Sequence, residues 1–477
     1  MSSRKQRPIQ DQNSSSPALP TTPLLSENDR KPTGAAAKAT RSIPRRATQT
    51  YLRIVGLTGV LVLIYVVFFR GQPKNEEQDP NIPIEGDYTL RIVAVGDLHS
   101  DFQNTLKVLQ RSHVVDNKGD WSGEIDYLVQ TGDIIDRGND TLEIYRFMEK
   151  LRVQARHLGG NVFSHLGNHE YMNALGDWRY VYPSEIETFG GVAKRQFALS
   201  LKGFPGAAWA TNYTTVSRIP LHPTSGAPNA DYAPNTSPLS HAAYSFMHGG
   251  ISPHIAKQYG TPYPSRLNDV GASLLRRCQT RKPPPPHPPA PYHGLPSDSP
   301  REEHDFYGAE GPVWYRGWAE LPDQVVCSAV DQVIELIGVK RLIMGHTPNF
   351  KRSACIYARI CLIRSNTGIS RAYNGAISAL SITYTLSPIL SSFETEIVVS
   401  SNSNATTFLA NSTESYDTTN ITSTNTTTPQ AQTSPSIDGG RRVGKWKERE
   451  HIQALYYPNR VQDLVIDERV IVGDFWV

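Results

Sequence analysis

The sequence predicts an α/β fold with a functional site at one edge of a sheet, and three observations support this prediction. Runs of β-branched and apolar residues at 90–95, 127–129 and 162–166 have the composition of buried parallel strands. Each run is followed by a polar motif that contains glycine, namely GDLH at 96–99, GDIIDRG at 132–138 and GNHE at 167–170. Because open α/β sheets bind ligands beyond the carboxyl ends of their strands, we expect the three motifs to meet in one crevice.

Further elements follow the same pattern along the chain. The apolar stretches 244–247 and 342–345 predict two more strands, which end directly before His248 and His346. Residues 456–472 have strand-like content and predict an edge strand or hairpin that returns to the sheet. Three sets of apolar residues at helical spacing predict helices that cover the sheet faces: Phe102, Leu106 and Leu109; Leu142, Tyr145, Met148 and Leu151; and Val326, Val330, Val333 and Ile337.

The side chains at these strand ends predict a site for two divalent cations. Asp97, His99 and Asp133 can bind one ion, while Asn168, His248 and His346 can bind the second together with the same Asp133. A carboxylate shared between two cations offsets their mutual repulsion. The mixture of carboxylate, imidazole and amide donors suits manganese, iron or zinc, and the choice among them stays open.

A centre of this kind predicts hydrolysis of phosphate esters. Two divalent cations keep the site electropositive and lower the pKa of bound water, so a metal-bound hydroxide is expected to attack phosphorus in line, without a covalent phosphoenzyme. Arg137 can bind the phosphate with two parallel hydrogen bonds. His169 has no evident metal role and is predicted to protonate the leaving oxygen, with Asp136 orienting it and Glu170 bracing the loop.

These motifs resemble those of the phosphoprotein phosphatases in the calcineurin-like metallophosphoesterase superfamily. Within it, NHEYMN at 168–173, GPVWYR at 311–316, GHTP at 345–348 and TGIS at 367–370 resemble the Shewanella-like branch, and the similarity covers about residues 88–385 with insertions. Ser100 stands where this family usually has Gly, and Asn366 where Asp is common. Neither position is a metal ligand in the family.

The resemblance implies a sandwich of two mixed β-sheets flanked by helices. It also implies phosphoserine, phosphothreonine or phosphotyrosine in proteins as the substrate, and a second phosphate-binding arginine at Arg316. The alternative for Arg316 is packing on the neighbouring Trp314 or Trp318. A phosphorylated protein or a small phosphate compound is therefore the expected partner.

Two other functions stay open on the sequence alone. The same metals could hydrolyse polyphosphate or a dinucleotide polyphosphate instead of a phosphoprotein. A protein that kept the fold without activity could serve as a lumenal binding scaffold, although the presence of every predicted metal ligand argues against it. A single Gly-Asp or Asn-His pair is usually a turn, and only the ordered set of motifs after strands predicts a site.

An uncharged run at 54–69 predicts a transmembrane signal anchor at 51–70. Arginines precede it and acidic residues follow it, so the positive-inside rule predicts a single-pass type II protein of the secretory pathway (ER, Golgi, vacuole or cell surface) with a lumenal catalytic domain. The alternative is a buried core helix. N-glycosylation motifs fit the lumenal side; they begin at Asn139, Asn212, Asn235, Asn404, Asn411, Asn420 and Asn425.

Composition predicts the remaining domain layout. Residues 1–50 are predicted to be a disordered cytosolic tail, 71–88 a linker, and 89–390 the catalytic domain, with a proline-rich spacer inserted at 279–305. Residues 391–440 are predicted to be a disordered Ser/Thr/Asn-rich insertion, and 441–477 a strand segment that rejoins the catalytic domain. The net charge of +3 comes partly from the arginine-rich tail, so no nucleic-acid partner is expected. The four cysteines permit three pairings, with buried free thiols as the alternative.

Overall fold

The computed structural model describes residues 86–347, 360–362, 368–374, 377–392 and 443–477. Residue contacts divide the chain after residue 82, and all the described residues belong to the second part. The predicted tail, the apolar run 54–69, the insertion from 393 to 440, Cys355, Asn366 and the glycosylation motifs beyond residue 400 lie outside the described residues. Among the helices that the structure describes, none combines the length and apolar character needed to cross a membrane.

The described strands form two mixed sheets. In chain order they are β1 (Tyr88–Val95), β2 (Tyr127–Gln130), β3 (Asn161–His165), β4 (Tyr213–Thr214), β5 (Val216–Pro220), β6 (Ala243–Met247), β7 (Arg341–Met344), β8 (Ile360–Leu362), β9 (Ser378–Pro388), β10 (Gly444–Tyr456) and β11 (Arg460–Gly473). The larger sheet has the order β11-β10-β9-β1-β2-β3-β4, and the smaller one β5-β6-β7-β8. Strands β1 to β4 are parallel, whereas β9, β10 and β11 run antiparallel to their neighbours. In the smaller sheet β6, β7 and β8 are parallel and β5 is antiparallel.

The two sheets pack on each other through a buried inner core. Ile92 of β1 lies in one apolar cluster with Phe246 of β6 and Ile343 of β7. Val93, the next residue of β1, belongs to a second cluster with the helices on the outer face of the larger sheet. Alternate residues of one strand therefore point into different layers, as the two-residue period of a strand requires. The predicted α/β sandwich of two mixed sheets is confirmed for the described residues.

Helices cover the outer faces of both sheets. They are α1 (Phe102–Arg111), α2 (Thr141–His157), α3 (Asn168–Leu175), α4 (Pro183–Thr188), α5 (Val192–Ala198), α6 (Gly206–Asn212), α7 (Pro253–Tyr259), α8 (Ser265–Thr280), α9 (Arg301–Tyr307), α10 (Gly317–Glu320) and α11 (Asp323–Ile337). The three predicted apolar stripes form α1, α2 and α11. Leu109 and Met148 pack on the larger sheet, and Val330 packs on the smaller one with Met344.

The C-terminal hairpin of β10 and β11 extends the larger sheet and also reaches the smaller one. Glu450 of β10 is fully buried and accepts a hydrogen bond of 2.8 Å from Nε of Arg341 in β7. Nζ of Lys340 lies 3.0 Å from the same carboxylate, and the hydroxyl of Tyr244 in β6 donates to it. Opposite charges thus join the two sheets inside the protein.

The proline-rich segment is packed against the catalytic domain, so the expected extended spacer is wrong for its described residues. The backbone of His287 accepts a hydrogen bond of 2.6 Å from the N–H of Trp178 and donates one of 2.9 Å to the carbonyl of Gly176. Nε2 of Gln196 donates to the carbonyl of Pro284 at 2.9 Å. The segment therefore forms part of the surface beside α3.

The cysteines in the described residues differ in state. Cys278 is a buried free thiol, whereas Cys327 is disulfide-bonded.

Candidate metal centre

The predicted metal ligands all lie in the loops that follow five strands. Asp97 and His99 follow β1, Asp133 follows β2, and Asn168 begins α3 after β3. The remaining ligands, His248 and His346, follow β6 and β7 of the other sheet. All six side chains are buried, with at most 5% of any residue exposed. The centre is therefore assembled from both sheets, at the edge where their parallel strands end.

The side chains form two groups that share one carboxylate. Ligand atoms of His99, Asp133 and His169 lie within 4.8 Å of one another, and so do those of Asp133, His248 and His346. Asp133 therefore belongs to both groups, as a bridging ligand must.

Asp97 and Asn168 complete the two groups. Oδ2 of Asp97 is 3.9 Å from Nε2 of His99, and Oδ1 of Asn168 is 2.9 Å from Nε2 of His248. The structure thus brings together all six residues that the sequence predicts as ligands.

Backbone carbonyls fix the orientation of two of the histidines. Nδ1 of His99 donates to the carbonyl of Ile135 at 3.0 Å, and Nδ1 of His248 donates to that of Thr131 at 2.9 Å. Each ring consequently turns Nε2 towards the other ligands, which is the arrangement that second-shell hydrogen bonds give to metal-binding histidines.

The donor set fits divalent cations. Nε2 of His346 is buried and has no hydrogen-bond partner among the described residues. Burial, with the charge of Asp133, raises the pKa of Asp97 to about 6, while burial and the neighbouring His169 lower the pKa of His99 to about 3. Burial and His248 also lower the pKa of His346. Neutral imidazoles beside two crowded carboxylates are the donors that manganese, iron and zinc accept, and a cation would relieve the repulsion between the carboxylates.

His169 and Asp136 form a buried pair beside the ligands. Nδ1 of His169 donates to Oδ2 of Asp136 at 2.6 Å, which leaves Nε2 of the ring 3.7 Å from Oδ2 of Asp133. Although burial alone lowers the pKa of His169, the carboxylates of Asp133 and Asp136 raise it above its usual value. The ring can therefore carry a proton that faces the same space as the metal ligands.

A second layer that the sequence did not predict holds Asp136. Asn173 donates from Nδ2 to Asp136 at 2.9 Å, and Arg195 donates to Asn173 at 2.7 Å. Arg195 is fully buried, lies 3.5 Å from Asp136 and also donates to Glu185. Asn173 could have been found four residues after His169 on α3, but no local pattern marks Arg195.

Glu170 connects the second and third motifs. Its carboxylate accepts hydrogen bonds from the backbone N–H groups of Asp133 at 3.0 Å, Ile134 at 2.9 Å and Gly167 at 2.7 Å, and from the hydroxyl of Tyr145 at 2.8 Å. These contacts give Glu170 the bracing position that the sequence predicted.

The two predicted phosphate-binding arginines lie at the rim. The guanidinium of Arg137 lies between two aromatic rings, with Cζ at 4.2 Å from the centroid of Tyr180 and 4.9 Å from that of Tyr373. Arg316 donates at 3.1 Å to both the carbonyl of His346 and Oγ1 of Thr347. Among the described residues no ring is stacked on Arg316, so the alternative of aromatic packing is not what the structure has.

Comparison with known proteins now assigns the fold and site to a family. The profile of the calcineurin-like phosphoesterase family matches residues 90–350, more than half of the chain, and the chain therefore belongs to that family. An uncharacterised protein of Schizosaccharomyces pombe is 34% identical over 308 residues, which cover 63% of this chain and 80% of that protein.

Two relatives carry more specific names. Over 99 residues the chain is 40% identical to Shewanella-like protein phosphatase 2 of Arabidopsis thaliana and 38% identical to Shewanella-like protein phosphatase 1 of Plasmodium berghei. The match covers 21% of this chain in both cases, and it spans 25% and 27% of the two relatives. These findings confirm the predicted family and its Shewanella-like branch, and the chain is a hydrolase of the phosphatase class.

Among solved structures, the chain is similar to a cold-active protein tyrosine phosphatase and to that of a psychrophilic Shewanella species. Sequence identity is 21% and 22%, and the TM-score is 0.46 for both. The match covers 62% of this chain and 75% or 77% of the other chain.

Proposed function

We propose that this protein hydrolyses phosphate monoesters on phosphorylated proteins, at serine, threonine or tyrosine. The observation that carries the proposal is the position of Asp133, which belongs to both groups of ligand atoms while the His169–Asp136 pair faces the same space. This arrangement suits attack on phosphorus from one side and protonation of the leaving oxygen from the other. The named phosphatases among the relatives support the choice of a phosphoprotein.

Each predicted residue has a role in this proposal. Two divalent cations, bound by Asp97, His99, Asp133, Asn168, His248 and His346, would supply an activated water and neutralise phosphate charge. Arg137 and Arg316 orient the phosphate, and the two rings beside Arg137 restrict the positions of its guanidinium. His169 delivers its proton to the leaving oxygen, and Asp136 holds the ring in the required orientation.

A substrate comparison tests the proposal. The purified protein, loaded in turn with manganese, iron or zinc, is offered phosphopeptides, polyphosphate and a dinucleotide polyphosphate at equal phosphate concentration. We expect the phosphopeptides to be hydrolysed and Asp133→Asn to abolish the reaction. Exclusive turnover of polyphosphate or the dinucleotide would replace the proposed substrate class, and full activity of Asp133→Asn would contradict the metal assignment.

We further propose that the protein is membrane-anchored through residues 51–70, with a disordered cytosolic tail before the anchor and the catalytic domain in the secretory lumen. The distribution of charges around the run 54–69 supports this orientation. Of the described glycosylation motifs, Asn235 is the best acceptor because its side chain is exposed, whereas Nδ2 of Asn212 donates to Glu149 at 2.7 Å and Asn139 lies beside Arg137. The Ser/Thr/Asn-rich stretch 391–440 is proposed to be a glycosylated insertion.

Protease protection on intact membranes tests the orientation. We expect the catalytic domain to resist protease until detergent is added, and glycosidase treatment to reduce the mass of the wild type by more than that of Asn235→Gln. Digestion of the catalytic domain on intact vesicles would contradict the proposed topology.

A further inference from the structure

An open cleft of about 830 Å³ lies beside the metal centre. One of its walls is the segment that contains Trp314 and Arg316, which also contacts the centre. The ring centroid of Trp314 is 5.8 Å from that of the metal ligand His346, and Arg316 donates to the carbonyl of His346. A substrate with its phosphate at the centre would therefore have neighbouring groups close to this cleft.

The opposite wall comes from the proline-rich insertion and the loop after α3. Tyr292 and Leu295 of the insertion line the cleft, together with Arg179. Cζ of Arg179 lies 5.5 Å from the ring centroid of Tyr292, so this aromatic ring already accepts a guanidinium as its neighbour. The insertion thus gives this chain a wall that the shared motifs do not provide.

The charges of the cleft separate into neutralised and uncompensated ones. Arg179 forms a pair of hydrogen bonds with the buried Asp177, with distances of 2.9 Å and 2.7 Å, so its charge is already balanced. Arg316 is held by the loop of His346. Glu310 and Glu320 are exposed on the cleft and have no ion-pair partner among the described residues.

Aromatic rings and free carboxylates together select for a cation. The rings of Tyr292, Tyr307 and Trp314 supply surfaces that attract an ammonium or guanidinium group, and Glu310 and Glu320 supply the countercharge. The same carboxylates repel a long polyanion. Resting on the proposed phosphoprotein function, we infer that this cleft binds a lysine or arginine side chain of the substrate, close to the phosphorylated residue.

The test uses a phosphopeptide in which each position beside the phosphorylated residue carries Lys, Gln or Glu in turn. For at least one position we expect kcat/KM to be about tenfold higher with Lys than with Glu, because a partly exposed ion pair and a cation–aromatic contact add together. The Lys/Glu ratio should fall as salt is raised.

Substitutions in the cleft link this preference to its residues. In the double variant Glu310→Gln/Glu320→Gln the Lys/Glu ratio should approach one, and Tyr292→Ala should lower it partly. The matched control Glu143→Gln/Glu187→Gln removes two exposed carboxylates outside the cleft and should keep the wild-type ratio. Because each ratio is measured within one variant, differences in the amount of folded protein cancel.

The outcomes separate this inference from the proposed function. Hydrolysis of phosphopeptides without any preference for Lys, or a preference that survives in Glu310→Gln/Glu320→Gln, would overturn the cleft assignment and leave the phosphoprotein function standing. Hydrolysis of polyphosphate with no phosphopeptide turnover would overturn the proposed function itself, and the cleft assignment with it.

Discussion

Several residues of the metal centre have a backbone conformation that normally favours glycine. His99, Asp133, Asp136, Arg137 and His346 have φ between 42° and 72°. Each such residue costs on the order of 1 kcal/mol, and the conformation persists only where surrounding contacts enforce it. The hydrogen bonds of Glu170 to the loop of Asp133 are contacts of this kind. Strained backbone at these positions aims the side chains at a common point.

Ser100 offers a direct test of this strain. It stands where the family usually has Gly, has φ of 53°, and its hydroxyl contacts that of Thr141. Ser100→Gly relieves the backbone cost but loses a hydrogen bond, so we expect the free energy of unfolding to change by less than about 1 kcal/mol. Ser100→Val, with a β-branched side chain at positive φ, should destabilise by about 2 kcal/mol or more. Urea unfolding of both variants checks this, and a stable Ser100→Val would contradict it.

The proposed proton transfer predicts a dependence on the leaving group. A general acid matters most when the departing oxygen is a poor leaving group, so His169→Gln should lower kcat by about 10²-fold to 10⁴-fold on an alkyl phosphate such as a phosphoserine peptide. On an activated aryl phosphate the loss should be much smaller. Steady-state kinetics on the two substrates measure the difference, and exposed His254→Gln serves as the control. Equal losses on both substrates would remove His169 from the proton-transfer role.

At this scale the sequence predicted the positions of the ligands but not of their supports. Asp97, Asp133 and the histidines stand in short motifs directly after apolar runs, so their convergence follows from the rule for strand ends. Arg195 reaches Asp136 and Glu185 only through the tertiary fold. A buried charge that acts across helices leaves no periodic signal in the chain.

Among the elements, β10 illustrates why some strands escape sequence analysis. Its alternation places Lys445, Lys447 and Arg449 on the exposed side, but Glu448 and Glu450 occupy the buried side, where a strand usually has apolar residues. The run therefore lacks the apolar alternation that indicated β1, β2 and β3. Its pairing with β9 and the charges that Arg341 supplies are long-range features.

The buried Glu450 should make stability depend on pH. Burial alone would raise its pKa, but the hydrogen bonds and charge of Arg341 and the charge of Lys340 lower it to about 2, against an ordinary value of 4.5. Because the folded pKa is depressed, the stabilisation is fully present above pH 4.5 and is lost as the pH falls through about 2. Glu450→Gln should cost about 3 kcal/mol at neutral pH and flatten stability across this window.

Urea unfolding as a function of pH measures both effects. Exposed Glu468, which pairs with Lys447 and Arg449 on the surface of the same hairpin, provides the control. Glu468→Gln should cost less than about 1 kcal/mol. If Glu450→Gln behaved like Glu468→Gln, the link between the sheets would not contribute to stability.

At the scale of the whole molecule, metal binding and folding should be coupled, because the ligands come from both sheets. Removing the ions with a chelator should lower the melting temperature by about 5 °C or more, and adding manganese, iron or zinc should restore it. Calorimetry with metal analysis of the same samples checks this. In Asp133→Asn the melting temperature should not respond to metal. A wild-type protein that melts identically and keeps its activity in strong chelator would contradict the metal centre.

The division of the ligands between two sheets also works in reverse. Any lesion that loosens the seam between the sheets, even one placed at Glu450 and remote from the chemistry, must weaken the grip on the cations by the same free energy through which the cations tighten that seam. Damage to the protein's interior would then first be noticed as a need for more metal in the medium, before any loss of fold was visible.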